Sequence, residues 1–165
     1  MRRLTLVRHA KSSWLDETIA DHERPLAERG ERDAPRMGER LRSQNVRPTL
    51  ILTSSAKRAL ATAELIARAI GYPQDALQIE PDLYLADPET ILGVIGAQDD
   101  TIRDLMVIGH NPGMTDLVGL LLPDLRLDNL PTTAVVAIDS TADHWSEIGS
   151  RNTTLAYYDY PKNQK

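Results

Sequence analysis

The sequence predicts an α/β fold: one domain over residues 1–165, with a mostly parallel central sheet and helices on both faces. Apolar runs of strand length, Leu4–Val7, Leu50–Thr53 and Leu105–Gly109, alternate with stretches whose apolar residues recur every three or four positions. Each run stops abruptly at polar residues, as a buried strand does where it leaves the core. With 165 residues, 41% of them hydrophobic and 26% charged, the chain suits one domain with a real core.

Leu4–Val7 is the first strand, and it ends in Arg8 and His9. Lys11–Glu23 follows as a polar, irregular loop at the rim of that strand end, carrying Trp14 and Leu15. Pro25 suits the first position of a helix whose stripe is Leu26, Gly30, Ala34, Met37 and Leu41. Pro35 predicts a kink there, or a restart with Asp33 as cap, because proline removes an internal hydrogen bond. After the second strand, Leu50–Thr53, Ser55 is the expected cap of a helix with the stripe Ala59, Ala63, Ile66 and Ile70, ended by Gly71. Lys57 and Arg58 place positive charge in its first turn, where the dipole favours an anion by about 0.3–1 kcal/mol per charge. A bound anion would offset that conflict.

Between Pro73 and Asp104 the pattern gives a short strand at Leu77–Ile79 and a helix opening at Asp87-Pro88 with Ile91, Leu92 and Ile95 inside. Leu105–Gly109 leads through His110 to Asn111 as cap and Pro112 as first residue of a helix with Met114, Leu117, Val118, Leu121 and Leu122 on one face. Thr133–Ile138 reads as a strand, with weaker strand patterns at Trp145–Ile148 and Thr154–Tyr160 and a frayed end at Lys162–Lys165.

A net charge of −5 argues against nucleic acid or an anionic membrane as partner, since those need a basic face. A local basic pocket in an acidic chain points instead to a small anionic group. The absence of cysteine excludes thiolate chemistry and disulfides. Met1-Arg2-Arg3 passes straight into a four-residue apolar run, too short for a signal sequence or membrane span, so a cytoplasmic location is expected.

Three strand ends together offer Arg8, His9, Arg58 and His110, two of them permanently cationic. In open α/β sheets, ligands collect at such carboxyl ends. Two histidines and two arginines suffice for covalent phosphoryl transfer without a metal: a neutral imidazole attacks phosphorus while guanidinium forks hold the equatorial oxygens. His9, next to Arg8, is the expected nucleophile, with Arg8, Arg58 and His110 binding phosphate; the reverse assignment of the histidines is chemically open. A metal site is disfavoured. The histidines at 9, 22, 110 and 144 are scattered without a His-x-x-x-His pair, and arginines would repel a cation. His22 and His144 read as solvated surface residues.

Leu6-Val7-Arg8-His9-Ala10-Lys11-Ser12 resembles the first-strand signature of the histidine phosphatase superfamily, whose fold is like that of phosphoglycerate mutase. Ser54-Ser55-Ala56-Lys57-Arg58-Ala59-Leu60-Ala61-Thr62-Ala63 looks like its second arginine segment, and Gly109-His110-Asn111-Pro112-Gly113 like its second histidine. The short length and the Arg-His-Ala-Lys-Ser start are most similar to the SixA-like phosphohistidine phosphatases. That resemblance implies a cofactor-free phosphatase with a phosphohistidine intermediate on His9, and a place in signal transduction. Its partner would be a phosphohistidine-bearing protein or a small phosphorylated substrate.

Three positions depart from the family pattern. Ala10 replaces the usual glycine, and Leu15 stands where many members carry a phosphate-contacting asparagine. Leu83-Tyr84-Leu85 lacks the acidic residue of a Leu-x-Glu context, leaving Glu80, Asp82 and Asp87 as poor substitutes for a general acid. An alkoxide is a strong base, whereas imidazole, with a pKa of roughly 6.5, leaves with little help. The missing acid therefore favours phosphohistidine over sugar phosphates. A small-molecule phosphomonoesterase and a non-catalytic phosphate-binding regulatory module are the alternatives from the same residues.

Overall fold

The computed structural model describes residues 1–163. Its centre is β1 (Arg2–Arg8), flanked by β4 (Asp104–Gly109) in parallel and β5 (Val135–Ser140) antiparallel. Outside β4 lie β2 (Leu50–Thr53) and the two-residue β3 (Gln78–Ile79), both parallel; outside β5 lies β6 (Thr153–Asp159), antiparallel. The six-stranded order is β3-β2-β4-β1-β5-β6. This is the expected α/β fold with a mostly parallel sheet.

The strands alternate between two cores, as a period of two requires. Leu4, Leu6, Leu52, Leu105 and Val107 face α3 (Pro88–Gly96) and α4 (Gly113–Leu121). Val7, Ile51, Met106 and Ile108 face α1 (Glu28–Ser43) and α2 (Lys57–Ile70). Both faces are covered, so β1, β2 and β4 are largely buried on each side, while the two-residue edge strand β3 is exposed.

Several local expectations change. Helix α1 begins after Ala27, not at Pro25, because Pro25 and Leu26 are tied to the rim loop: Ser13 N–H donates to Pro25 O at 2.8 Å and Ala27 N–H to Lys11 O at 2.9 Å. The helix runs unbroken through Pro35. The carbonyl that Pro35 leaves unpaired belongs to exposed Glu31, while buried Ala34, Met37 and Leu41 dock the helix on both sides of the proline. Asp33 is no cap; it pairs with Arg29 at 3.2 Å. Trp145 opens a 3-10 turn, Trp145–Glu147, in place of a strand, because its fully buried indole donates Nε1–H to Ile102 O at 2.8 Å. Thr133 has φ 63 and lies outside β5, which runs two residues later than the pattern placed it. Of the end expected to fray, Gln164 and Lys165 lie outside the described residues. No helix among the described residues is long and apolar enough to cross a membrane.

Candidate active site

Strand register brings the sequence segments together. In the β1–β4 ladder Arg8 pairs with Gly109, and in β2–β4 Thr53 pairs with Ile108. His9 N–H donates to Gly109 O at 3.0 Å and Ser54 N–H to Ile108 O at 3.0 Å, extending both ladders by one residue. His9, Ser54 and His110 therefore leave the sheet side by side. All three are buried.

Arg8, His9, Arg58 and His110, the four expected site residues, line one cavity of about 270 Å3. Lys11, Ser12, Trp14, Asp21, Arg24 and Leu85 are also in its wall. The imidazoles of His9 and His110 lie with centroids 5.1 Å apart, inclined at 56°. His9 Nδ1 is 2.8 Å from Ala10 O. A carbonyl only accepts, so Nδ1 carries the proton and Nε2 keeps the lone pair. Burial, followed by the nearby arginines, pushes His9 down to about 4, and burial and His9 push His110 down to about 3. Both rings are neutral at physiological pH.

Ala10 stays outside the left-handed region, so its Cβ is tolerated. Its N–H donates to Thr62 Oγ1 at 2.9 Å, and Thr62 Oγ1 donates to Arg58 O at 2.7 Å, coupling the β1 end to α2. Ser55 is not the cap of α2. The N-cap is Ala56, Ser54 Oγ accepts from its N–H at 3.2 Å, and the Ser55 hydroxyl meets His22 Nε2 at 2.9 Å instead. His22 is thus no free surface residue; its ring also meets Tyr84 edge-on at 4.8 Å. His144 is exposed and pairs with Asp100. Asn111 is not the N-cap of α4, which is Pro112, but Asn111 Oδ1 accepts from Thr115 N–H at 3.2 Å and from Thr115 Oγ1 at 2.8 Å.

Sequence reasoning missed Asp21, Arg24 and Tyr84. Asp21 accepts from Tyr84 OH, from Arg58 Nη2 at 3.0 Å and from Arg24 Nε at 3.1 Å. Tyr84 first, then Arg58 and Arg24, hold its carboxyl far below the usual carboxylate range. Asp21 is therefore ionised at physiological pH and is a poor proton donor. Glu80, Asp82 and Asp87 do not line the cavity, and Asp87 caps α3 by accepting from Thr90 N–H at 2.8 Å. Leu15 is 97% exposed and stands outside the wall.

Two rim features come from strained or stacked groups. Leu85 holds φ 50 and is 56% exposed, a left-handed conformation that costs a non-glycine residue of order 1 kcal/mol or more. The Arg24 guanidinium lies over the Trp14 ring, 3.5 Å from its centroid. Among the described residues, no three His, Asp or Glu side chains come together as a metal site would require.

Residues 4–84 match the histidine phosphatase superfamily (branch 1). An uncharacterized protein of Mycobacterium tuberculosis is 32% identical over 165 residues, covering 94% of this chain and all of the relative. A structure from Agrobacterium tumefaciens assigned to the phosphohistidine phosphatase SixA superposes with a TM-score of 0.81 at 28% identity, over 97% of this chain and 98% of the other. The protein histidine phosphatase SixA complexed with tungstate gives 0.81 at 22% identity, over 96% and 97%. The chain belongs to the histidine phosphatase superfamily.

Proposed function

We propose that the protein is a metal-independent phosphohistidine phosphatase, with residues 1–165 acting as one domain and His9 as nucleophile. One observation carries the reading. Arg8 Nε, Arg58 Nε and His110 Nδ1 are buried nitrogens without a hydrogen-bond partner among the described residues. Buried polar groups left unpaired are costly, and two guanidinium donors with an imidazole nitrogen, all on residues that line one cavity, fit a group rich in oxygens, such as a phosphoryl group. The tungstate bound by the similar SixA structure is an oxyanion of the same kind.

The neutral Nε2 of His9 attacks phosphorus as the bond from phosphorus to the substrate imidazole breaks. That imidazole leaves neutral when its other nitrogen is protonated. Ala10 O then holds the proton on Nδ1 of phosphorylated His9, so His9 is itself a neutral leaving group when water attacks phosphorus. The water oxygen and its protons end on the released phosphate. Arg8, Arg58 and His110 clamp the equatorial oxygens throughout.

Two features support a partner protein as the carrier of the phosphate, in a signalling role. The cavity holds no carboxylate able to protonate an alkoxide, since Asp21 stays ionised. Exposed Trp14 and Leu85 stand in its wall, where a protein surface gains apolar contact and a free sugar phosphate gains less.

The test is incubation with phosphohistidine proteins and with small phosphate esters, in the presence of chelator. Phosphate release from phosphohistidine is expected, with label trapped on wild-type protein and none on His9→Ala. Turnover without a phosphohistidine on the enzyme would overturn the mechanism. Preference for alkyl phosphates would favour the small-molecule phosphomonoesterase, and oxyanion binding without turnover the regulatory module.

A further inference from the structure

We infer that Ser54 is a positioning residue that fixes the tautomer of His110, so that His110 presents Nδ1–H to the cavity while His9 presents a lone pair. The inference deepens the phosphatase reading and rests on it only for the identity of the anion.

Ser54 is fully buried where β2 hands over to α2. Its Oγ has two neighbours: Ala56 N–H at 3.2 Å and His110 Nε2 at 2.7 Å. The amide can only donate, so the hydroxyl hydrogen is not used on Ala56. If Nε2 carried the His110 proton, Oγ would accept from both neighbours and its own hydrogen would be buried without an acceptor. The His110 Nδ1 lone pair would be buried and unpaired as well. If instead Oγ–H donates to Nε2, the amide, the hydroxyl and Nε2 are all satisfied. The one group left open is Nδ1–H, buried on a residue that lines the same cavity as Arg8 and Arg58.

The two histidines are then protonated on the same ring nitrogen for opposite reasons. At His9 an acceptor, Ala10 O, holds the proton on Nδ1 and frees Nε2. At His110 a donor occupies Nε2 and leaves Nδ1–H free. This also removes the ambiguity over which histidine attacks. His110 has one nitrogen engaged by Ser54 and the other protonated, so it has no lone pair to offer phosphorus.

The experiment is long-range proton–nitrogen correlation NMR on uniformly nitrogen-15-labelled protein at about pH 7, where an unperturbed imidazole is already mostly neutral. The expected spectrum has His110 with a protonated Nδ1 and an unprotonated Nε2. Ser54→Ala should shift His110 toward the Nε2–H tautomer and weaken orthovanadate binding at least about tenfold, or 1.4 kcal/mol. Ser54→Thr, which keeps the hydroxyl, should restore both. A wild-type His110 protonated on Nε2 overturns the inference, and that spectrum decides even if a variant misfolds. A folded Ser54→Ala protein with unchanged tautomer and vanadate affinity overturns it too. If the wild type shows the Nδ1–H tautomer, Ser54→Ala changes it and vanadate fails to bind the wild type, the Ser54 assignment stands and the phosphatase reading falls.

Discussion

Asp21 reaches Arg58 twice: its Oδ2 lies 3.0 Å from Arg58 Nη2, and its backbone carbonyl accepts from Arg58 Nη1 at 2.7 Å. The pair ties the rim loop to the first turn of α2. It also supplies the anion that two cations at a helix N-terminus call for. An entering phosphate therefore meets an arginine already aimed and partly neutralised, with its Nε still open.

Arg58→Ala should consequently weaken vanadate binding and also destabilise the fold. Without the pair, the mutation would relieve the helix dipole and raise stability slightly. With it, the loss of hydrogen bonds to a charged partner, about 1.5–3 kcal/mol before discounting for the half-exposed carboxylate, outweighs the relief. A net loss of about 1 kcal/mol corresponds to a melting temperature lower by about 2–4 °C in a chain of this size. An unchanged or higher melting temperature would show the pair to be energetically idle.

The two depressed histidines set a pH window. As pH falls below about 6.5 the unfolded chain protonates its imidazoles, while folded His9 waits until about 4 and His110 until about 3. Their contribution is fully present above the unfolded pKa and is lost as pH falls through the folded values. Urea midpoints should therefore decline from pH 6.5 toward 4, and His9→Ala should flatten part of that decline while abolishing turnover. Because His9 is only 7% exposed, the variant should also lose some stability at neutral pH, more than a strand-end residue in solvent would. The acid limb of kcat/KM, corrected for substrate ionisation, belongs near the His9 value of about 4.

The sheet and the grouping of the four candidate residues in one cavity are legible in the sequence because both rest on short-range signals. Apolar runs marked β1, β2 and β4, and the polar residues ending them were Arg8, His9 and His110. What periodicity could not show was pairing between distant loops. Asp21 and Tyr84 meet across 63 positions, and Asp21 sits in a polar loop without a repeat. The available hint was the uncompensated Arg58 in a first helical turn, which required an anion; the structure supplies one from within the chain. Ser55 reads as a cap in the sequence because two adjacent serines offer the same hydroxyl, and only the fold shows that Ser54 reaches Ala56 and His110 while Ser55 reaches His22. Pro35 broke no helix because packing of Ala34, Met37 and Leu41 outweighs one lost hydrogen bond at the solvent side.

The rim predicts a split between large and small substrates. Trp14→Ala and Leu85→Gly should each raise KM for a phosphohistidine protein, by about tenfold if they remove an anchor worth about 1.4 kcal/mol. Hydrolysis of a small aryl phosphate should change much less, because these exposed side chains offer it only a small part of the contact they offer a protein surface. Leu85→Gly should fold at least as well as wild type, because glycine accepts φ 50 without strain. Equal losses on both substrates would place these side chains in the chemistry and not at a docking surface.

The absence of a usable acid makes the sharpest prediction. Without a proton donor, rates should follow leaving-group basicity: phosphohistidine and aryl phosphates turn over, and alkyl phosphates lag by the roughly 10²- to 10⁴-fold that general acid catalysis contributes. Glu80→Gln, Asp82→Asn and Asp87→Asn should leave phosphohistidine turnover nearly unchanged, since none lines the cavity. Asp21→Asn is the informative variant. If Asp21 only orients Arg58 and Arg24, its amide should slow every substrate by a similar factor, with the ratio of aryl to alkyl rates preserved. If Asp21 delivered a proton, the amide would penalise alkyl phosphates far more than aryl ones. A carboxyl held so far below its ordinary range by Tyr84 and two arginines is ionised at every working pH, so the ratio should not move. Chelator should alter none of these rates, because guanidinium groups supply the charge that a metal would otherwise bring.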